Sequence, residues 1–443
     1  MSTDSTDKKY KVVIVGGGIA GLATAHYLER AKKEGWAPPT LQVTVYERNE
    51  EENNPIKYPM QISPDARSVL QKILSTQAYS NLITRSNYGI THGGVNILNP
   101  DLSHLFSKIK YHNEQPQWCH RKVLKDVLGE GVDFIRGKRV VRVREVEGKV
   151  EVVFGVGGNE LADLVIGADG IGSIVRSQIH PSFPHFPLLP WVMIQFKLAT
   201  PIAKLPLQLN KDCQSIILGS HSNCLHIIAL HGTDLPHMTP RSAITLSEQG
   251  PFAEPDQSVL KVQDALKDTA TGYVLVRMFL KVSAEGAAGW EDMTEGAWID
   301  KILDILKKDG TDQGLLQIIE NDLIPGTISS TGVVSSTLGE HVPYKDGKAF
   351  LIGDAAHAVP PTNGNGGAAA LLDAQGIVET LLTSSEPGSG AAPLTSLLPE
   401  TYHHSLIRSE AYLKESLHLL ENSATSGWSG FIQKSRLKLM DIF

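Results

Sequence analysis

The apolar positions of this chain fall into two textures. In the first, a short β-branched run stops at glycines and resumes with helical spacing. Val12, Val13, Ile14 and Val15 lead into Gly16-Gly17-Gly18-Ile19-Ala20-Gly21, after which Ala20, Leu22, Ala23, Tyr27 and Leu28 are the apolar positions of a helix. This pattern predicts a strand, a tight turn and a helix. A second strand, LQVTVYER, follows and ends on Glu47. GKAFLIGDAAHAVPPTNGNGGAAALLDAQGIVETLL returns to strand, turn and helix. Between these, ISPDARSVLQKIL reads as a helix capped near Ser63 with Pro64 in its first turn. Tyr88 to Leu98 has the alternation and central glycines of a hairpin, Arg121 to Leu128 reads as a short helix, and VDFIRGKRVVRVREVEGKVEVVFGV and LADLVIGADG read as strands.

The second texture begins after Pro181, where a proline-rich crossing gives way to long alternating runs. In WVMIQFKLA, Val192, Ile194, Phe196 and Leu198 make one apolar face, and Trp191, Met193, Gln195 and Lys197 the other. Tyr273 to Val282 repeats the arrangement, with Arg277 on its mixed face. With QSIILG and NCLHIIAL between them, these runs predict an antiparallel sheet with one face on a core and one face either solvated or lining a pocket. WIDKILDILKKDG and the segment after it read as helical, SSEPGSGAAPLTS as a loop, and the tail from about Tyr402 to Phe443 as amphipathic helices covering the core.

The opening turn carries chemistry. Its first glycine allows the sharp turn, its second lets a pyrophosphate reach the backbone, and its third lets the helix pack close to the strand. An acidic residue at the end of the next strand suits ribose hydroxyls. Glu47 comes 26 residues after Gly21 (47 − 21), later than the roughly 20 usual for this fold, and the loop KKEGWAPPT accounts for the delay. The reading at this stage is dinucleotide binding, without a choice of dinucleotide.

Composition acts mainly by exclusion. A chain of 443 residues has room for more than one domain, and 41% hydrophobic with 20% charged residues is an ordinary globular balance. With a net charge of −7 and no basic run, nucleic acid is not an expected partner. Cys119, Cys213 and Cys224 lack CxxC spacing, which argues for reduced thiols in a cytoplasmic setting and against zinc or a disulfide framework. No apolar run reaches the roughly 18 residues of a membrane span, and the polar MSTDSTDKKY is not a signal peptide.

Three separated pieces then line up. GADG (Gly167 to Gly170) ends a strand and is followed by Ser173 and Arg176. LIGDAAH (Leu351 to His357) ends another, and PPTNGNGGAAALLDA supplies a second glycine-rich helix start. Together with the opening motif, and over about residues 10 to 385, this resembles the group A flavoprotein monooxygenases of the para-hydroxybenzoate hydroxylase fold. The resemblance implies an α/β architecture: a Rossmann-like FAD-binding domain interleaved with an antiparallel-sheet substrate domain, plus C-terminal helices. The spans are 10–180 for the first part of the FAD domain (with an inserted hairpin around 57–115), 181–330 for the substrate domain, 331–385 for the returning FAD segment and 400–443 for the tail.

The resemblance also implies FAD as cofactor, NADPH or NADH as a transiently docked donor, and O2. Flavin hydroperoxide chemistry would hydroxylate or epoxidise a small aromatic or natural-product substrate, in a monomer or homodimer. Gly16, Gly18, Ile19, Ala20, Gly21, Glu47 and Arg48 would hold the ADP half. Asp169 of GADG would lie near the pyrophosphate, Arg121 would contact the flavin chain, Asp354 would bind ribitol, and backbone N–H groups of Gly364, Gly366, Gly367 and Ala368 would face the isoalloxazine. Lys197 falls where the family often has Arg, and with Arg277 it is the candidate for catalysis through stabilising a phenolate. Gln195 and His226 share the sheet, and no metal is expected. The chain departs from the family at Ala368, where Asn is usual, at Asn365, where Gln is frequent, and in the segment after Glu47. An FAD-dependent reductase or dehydrogenase of the same fold, and a non-catalytic FAD-binding protein, stay open as alternatives.

Overall fold

A computed structural model describes residues 9–50, 59–85, 93–110, 117–183, 185–209, 214–219, 223–230, 273–283, 293–344, 347–362, 364–384 and 394–424. Two sheets organise them. The first is parallel, in the order β17-β11-β1-β2-β7. Its strands are β1 (Tyr10–Val15), β2 (Leu41–Tyr46), β7 (Phe134–Ile135), β11 (Leu164–Gly167) and β17 (Ala349–Leu351). Val12, Val13 and Ile14 are wholly buried, as expected of a parallel strand covered on both faces. Helix α1 (Ile19–Lys33) joins β1 to β2 and packs against the Asn365–Thr383 helix. A side antiparallel sheet of β8 (Val140–Val146), β9 (Lys149–Phe154) and β10 (Asn159–Ala162) leads into β11.

The glycines act here as the motif requires. Gly16 sits at φ +111°, and a Cβ on it would collide with the Ala168 carbonyl. A Cβ on Gly21 would collide with the Gly16 carbonyl oxygen and press on Ile14 and Ala168. The strand-to-helix junction is therefore as close as backbone allows.

The second sheet has seven strands, ordered β16-β12-β15-β14-β13-β4-β5. They are β4 (Gly93–Leu98), β5 (His104–Lys110), β12 (Leu188–Leu198), β13 (Gln214–Leu218), β14 (Asn223–Leu230), β15 (Tyr273–Lys281) and β16 (Ser329–Val334). All pairs are antiparallel except β4 with β13. Its apolar face (Val192, Ile194, Phe196, Val274, Val276, Met278) packs on Trp298, Ile302 and Leu306 of the Glu295–Lys308 helix and Leu315 and Ile319 of the Gln313–Asp322 helix. The mixed face is also buried: Trp191, Met193, Ile216, Cys224 and Phe279 form a third cluster with Leu420 of the long Leu394–Ala424 helix. The centre of that face is therefore covered, while Arg277 is half-buried and Lys281 at the strand end is exposed.

Two short strands, β3 (Pro59–Ile62) and β6 (Gln117–His120), pair antiparallel. Helix α2 (Pro64–Ile73) starts where expected, with Ser63 Oγ accepting from Ala66 N–H at 3.2 Å; α3 (Thr76–Arg85) follows, then α4 (Arg121–Gly129) and α5 (Ile174–Ile179).

Three local expectations are corrected. The hairpin does not turn at Gly93-Gly94. Those glycines open β4, and the chain turns at residues 99–103, where Leu102 takes φ 62° and Asp101 Oδ1 accepts from Ser103 N–H. Asn-Pro-Asp turn chemistry outweighs a glycine pair that can sit in a strand. The loop after Thr383 ends before Leu394, and the tail is one helix up to Ala424. Residues 51–58, 86–92, 385–393 and 425–443 of the sequence readings, and Cys213, lie outside the described residues. No described helix is long and apolar enough to cross a membrane.

Gly21→Ala should force α1 off β1 and lower unfolding stability by about 1–3 kcal/mol. Urea denaturation checks this, and an unchanged midpoint would contradict the close-packed junction.

Candidate functional site

The C-terminal ends of β1, β2 and β11 open into a cavity of about 510 Å³, the position where parallel sheets gather ligands. Gly16, Gly17, Gly18, Glu47 and Arg48 form one side, and Ala168, Asp169 and Gly170 another. Glu47 is fixed by its own turn: Oε2 accepts from Gly17 N–H at 2.9 Å and Oε1 from Asn49 N–H at 3.0 Å. Gly18 caps α1 without a side-chain bond, and no acidic residue occupies the first turn. A Cβ on Gly18 would meet only Ala168 O, at 3.9 Å. Packing does not demand glycine there, so what it preserves is open space above the helix start. Ile19, Ala20 and Gly21 lie behind the lining, with Ala20 against Gly353.

The remaining wall is basic. Arg121, Lys125, Arg136, Lys138 and Arg139 join Arg48, against only Glu47 and Asp169. On a chain of net charge −7, this local excess of cations suits a ligand bearing phosphates.

Asp169 serves its own segment. Oδ1 accepts from Ser173 Oγ at 2.5 Å, and Oδ2 from Ile174 N–H at 2.7 Å and Val175 N–H at 3.2 Å. Burial raises its carboxyl, and these donors oppose the rise. Its side chain thus shapes the GADG turn. Arg176, wholly buried, donates to Ala355 O at 2.9 Å and Ile171 O at 2.6 Å and stacks on Phe186, tying GADG to the turn after β17.

At that turn Asp354 keeps solvent access, although the surrounding protein raises its carboxyl. The charges of His357 and Arg121 oppose that rise, and Asp373 adds to it. Arg121, which lines the first cavity, is thus also a charge felt at Asp354. Asp354 Oδ1 lies 3.9 Å from where a Gly366 side chain would begin, so the glycine-rich helix start adjoins it. Gly364 there is left-handed (φ 78°) against Gln61, and a Cβ on Gly367 would collide with Met60.

Behind Asp354 lies a buried network. Asp373 Oδ2 accepts from Gly353 N–H at 2.8 Å and meets His357 Nε2 at 2.7 Å. Oδ1 accepts from Ser405 Oγ at 2.5 Å and Arg408 Nη2 at 2.7 Å. Burial alone would lower His357, but the Asp373 carboxylate reverses this and raises it, while His357 and Arg408 hold Asp373 well below the usual carboxylate range against its own burial.

The catalytic candidates sit on the other sheet. Gln195, Arg277 and His226 form one cross-strand row. Arg277 Nε donates to Gln195 Oε1 at 2.8 Å. Gln214 Nε2 donates to His226 Nδ1 at 2.7 Å, which places the ring proton on Nε2, 3.7 Å from Cys224 Sγ. Burial first and Arg277 second push His226 down to about 3, so the imidazole is neutral. Lys197, 1% exposed, lies with its ammonium 4.3 Å from the centre of the Tyr273 ring. The structure thus brings the opening turn, GADG and Arg121 together around one cavity, and Asp354 together with the Gly364–Gly367 turn. Lys197, buried, and Arg277, half-buried, lie apart from these on the mixed face of the second sheet, which Leu420 of the long helix covers in part. Arg176 follows the GADG motif without a role read from sequence, and Asp373 and Glu415 have no sequence signal, because their partners lie in distant segments; only RGKR (Arg136 to Arg139) carries a local signal of the basic wall.

The chain belongs to the FAD binding domain family, whose model matches residues 9–261 and 303–405. It is similar to the FAD-dependent monooxygenase sor5 of Hypocrea jecorina, at 22% identity over 405 residues, 89% of this chain and 80% of that protein. Its fold is that of a Photorhabdus luminescens protein assigned as an FAD-containing monooxygenase (TM-score 0.72, 22% identity, 94% of this chain and 98% of that one). Klebsiella pneumoniae HpxO, solved with FAD and uric acid, shares it too (TM-score 0.69, 16% identity, 99% and 95%). The chain thus resembles FAD-dependent monooxygenases in sequence and has an FAD-binding family's fold, with FAD as its cofactor. The open glycine cradle and the basic wall fit that group. Among the described residues no cluster of His, Cys, Asp or Glu is arranged to hold a metal.

The buried pair sets a pH dependence. His357 is raised above its free value of about 6.5, so its contribution is complete below that pH and is lost as pH rises through the folded value. Asp373 is lowered, so its contribution holds above about pH 3.9 and is lost only as pH falls through its depressed value. The melting temperature should therefore decline above about pH 6.5. Asp373→Asn should flatten that decline and cost about 3–5 kcal/mol; a variant melting with the wild-type pH profile would refute the assignment.

Proposed function

We propose that this protein uses NADPH or NADH and O2 to hydroxylate, or epoxidise, a small aromatic or natural-product substrate. The observation that carries the reading is the cavity where Gly18, Glu47, Arg48 and Arg121 meet at the strand ends, with Asp354 close enough to Arg121 to feel its charge and adjoining Gly366. Gly16, Gly18, Glu47 and Arg48 would hold the ADP half, with the first turn of α1 (Ile19, Ala20, Gly21) behind it and Asp169 keeping the GADG turn in shape. Arg121 would neutralise the pyrophosphate side, and Asp354 would accept from ribitol hydroxyls. The backbone N–H groups of Gly364, Gly366, Gly367 and Ala368 would face the isoalloxazine, where a helix N-terminus favours negative charge.

Bound FAD supplies hydride acceptance and oxygen activation; the protein's share is binding, orientation and exclusion of water. The sheet does this for the substrate. Lys197, buried, and Arg277, half-buried, put two cations on one face, where they would favour the ionised form of an acidic ring and so make it more nucleophilic. Neutral His226, held by Gln214 and poised beside Arg277, would present a hydrogen bond without adding charge.

Asp354→Ala should purify colourless or nearly so, whereas a fully yellow protein would remove Asp354 from the cofactor role. Lys197→Met and Arg277→Ala should keep FAD and lose on the order of 10²-fold in product formation, scored by substrate-stimulated NAD(P)H consumption and a product heavier by one oxygen. Normal turnover in both would place the substrate elsewhere, and a product without added oxygen would indicate a reductase.

A further inference from the structure

The start of the Asn365–Thr383 helix is finished from outside its own sequence. Gly364 takes the cap position and has no side chain to offer, and no acidic residue lies in the first turn. The long helix supplies what is missing. Asn365 Nδ2 donates to Glu415 Oε2 at 2.6 Å, and Thr362 Oγ1 approaches Ser416 O at 3.5 Å. Asn365 is buried and Glu415 half-buried. Glu415 is held in place from both directions. Toward the N-terminus of the long helix, Ser405 and Arg408 bind Asp373; toward its C-terminus, Leu420 is sunk in the mixed face of the sheet. A carboxylate is thus fixed against the helix start, with Asp354 near the next residue.

We propose that Glu415 is a positioning residue that sets the reduction potential of the FAD, its charge cancelling part of the positive field that this helix start presents to the isoalloxazine. The inference rests on the flavin reading above. Hydride arrives from the nicotinamide donor as two electrons and one proton, so reduction adds one negative charge to the ring. The unpaired N–H groups of the helix favour that charge, and a fixed carboxylate in the same turn opposes it. The departure at Asn365 acquires a purpose: its amide holds Glu415 in place.

The test is the two-electron midpoint potential of bound FAD in the purified holoprotein, measured against a reference dye. Glu415→Gln keeps an acceptor for Asn365 and removes only the charge. It should raise the ratio of reduced to oxidised FAD at fixed poise about tenfold, equivalent to ~30 mV. Glu410→Gln, which loses contacts with His341 and Lys414 on the same helix, should change that ratio less than about twofold, although it removes an equal charge. A yellow Glu415→Gln protein with the wild-type potential overturns the inference, as does an equal shift in the two variants. Should Glu415→Gln fail to fold, Asn365→Asp adds a second negative charge at the same place and should move the ratio the opposite way; no shift there also overturns it. Wild-type protein that binds no FAD is colourless before any potential is measured, and it overturns the flavin reading and this inference together.

Discussion

Asp373 is 4% exposed and still ionised, because every side of its carboxylate meets a donor: the Gly353 amide, His357, Ser405 and Arg408. A buried charge is tolerated only when it is fully partnered, so these four groups cannot drift independently. Two of them lie in the turn that carries Asp354 and two on the long helix. The carboxylate therefore sets where Asp354 stands and where the long helix begins its run across the molecule. Arg176 makes the matching tie from the other side, from GADG to Ala355. The turn that carries Asp354 hangs between these two buried side chains.

The long helix gives the two sheets a common frame. Ser405 and Arg408 hold the first, Glu415 and Ser416 reach the glycine-rich turn, and Leu420 enters the core of the second. The second sheet is covered on both faces, which explains how cations as costly as Lys197 are kept away from water: the ammonium rests on the Tyr273 ring and the stem lies within the face.

What could be read from the sequence was local. Gly16, Gly18 and Gly21 declare a strand-turn-helix because their spacing between a β-branched run and a helical one is itself local, and Ser63-Pro64 declares a helix start in the same way. Glu47, GADG and GDAAH could be placed because each closes a strand. The alternation in β12 and β15 revealed two faces but not that both are buried, since the cover comes from residue 420. The Asn365–Glu415 and Arg176–Ala355 contacts left no trace, because neither residue has a periodic or turn-forming reason to be where it is. Glycine permits a turn without requiring one, so Gly93-Gly94 sit in a strand, whereas Asn99-Pro100-Asp101 demands the turn.

The strand order β17-β11-β1-β2-β7 has a bearing on how the molecule comes into being. Val12 in the central strand pairs with Leu164, 152 positions away, and Val165 pairs with Ala349, 184 positions further on (164 − 12 and 349 − 165). During synthesis the first βαβ unit emerges with one flank of β1 unpaired, and it stays so until more than a hundred further residues have been made. Such distant closure is slow and leaves strand edges open to wrong partners. An N-terminal fragment would leave β11 without its outer neighbour, because β17 arrives only after the whole second sheet has been made. The lining of the first cavity, residues 15–174, is thus made long before the strand that completes the sheet beneath it.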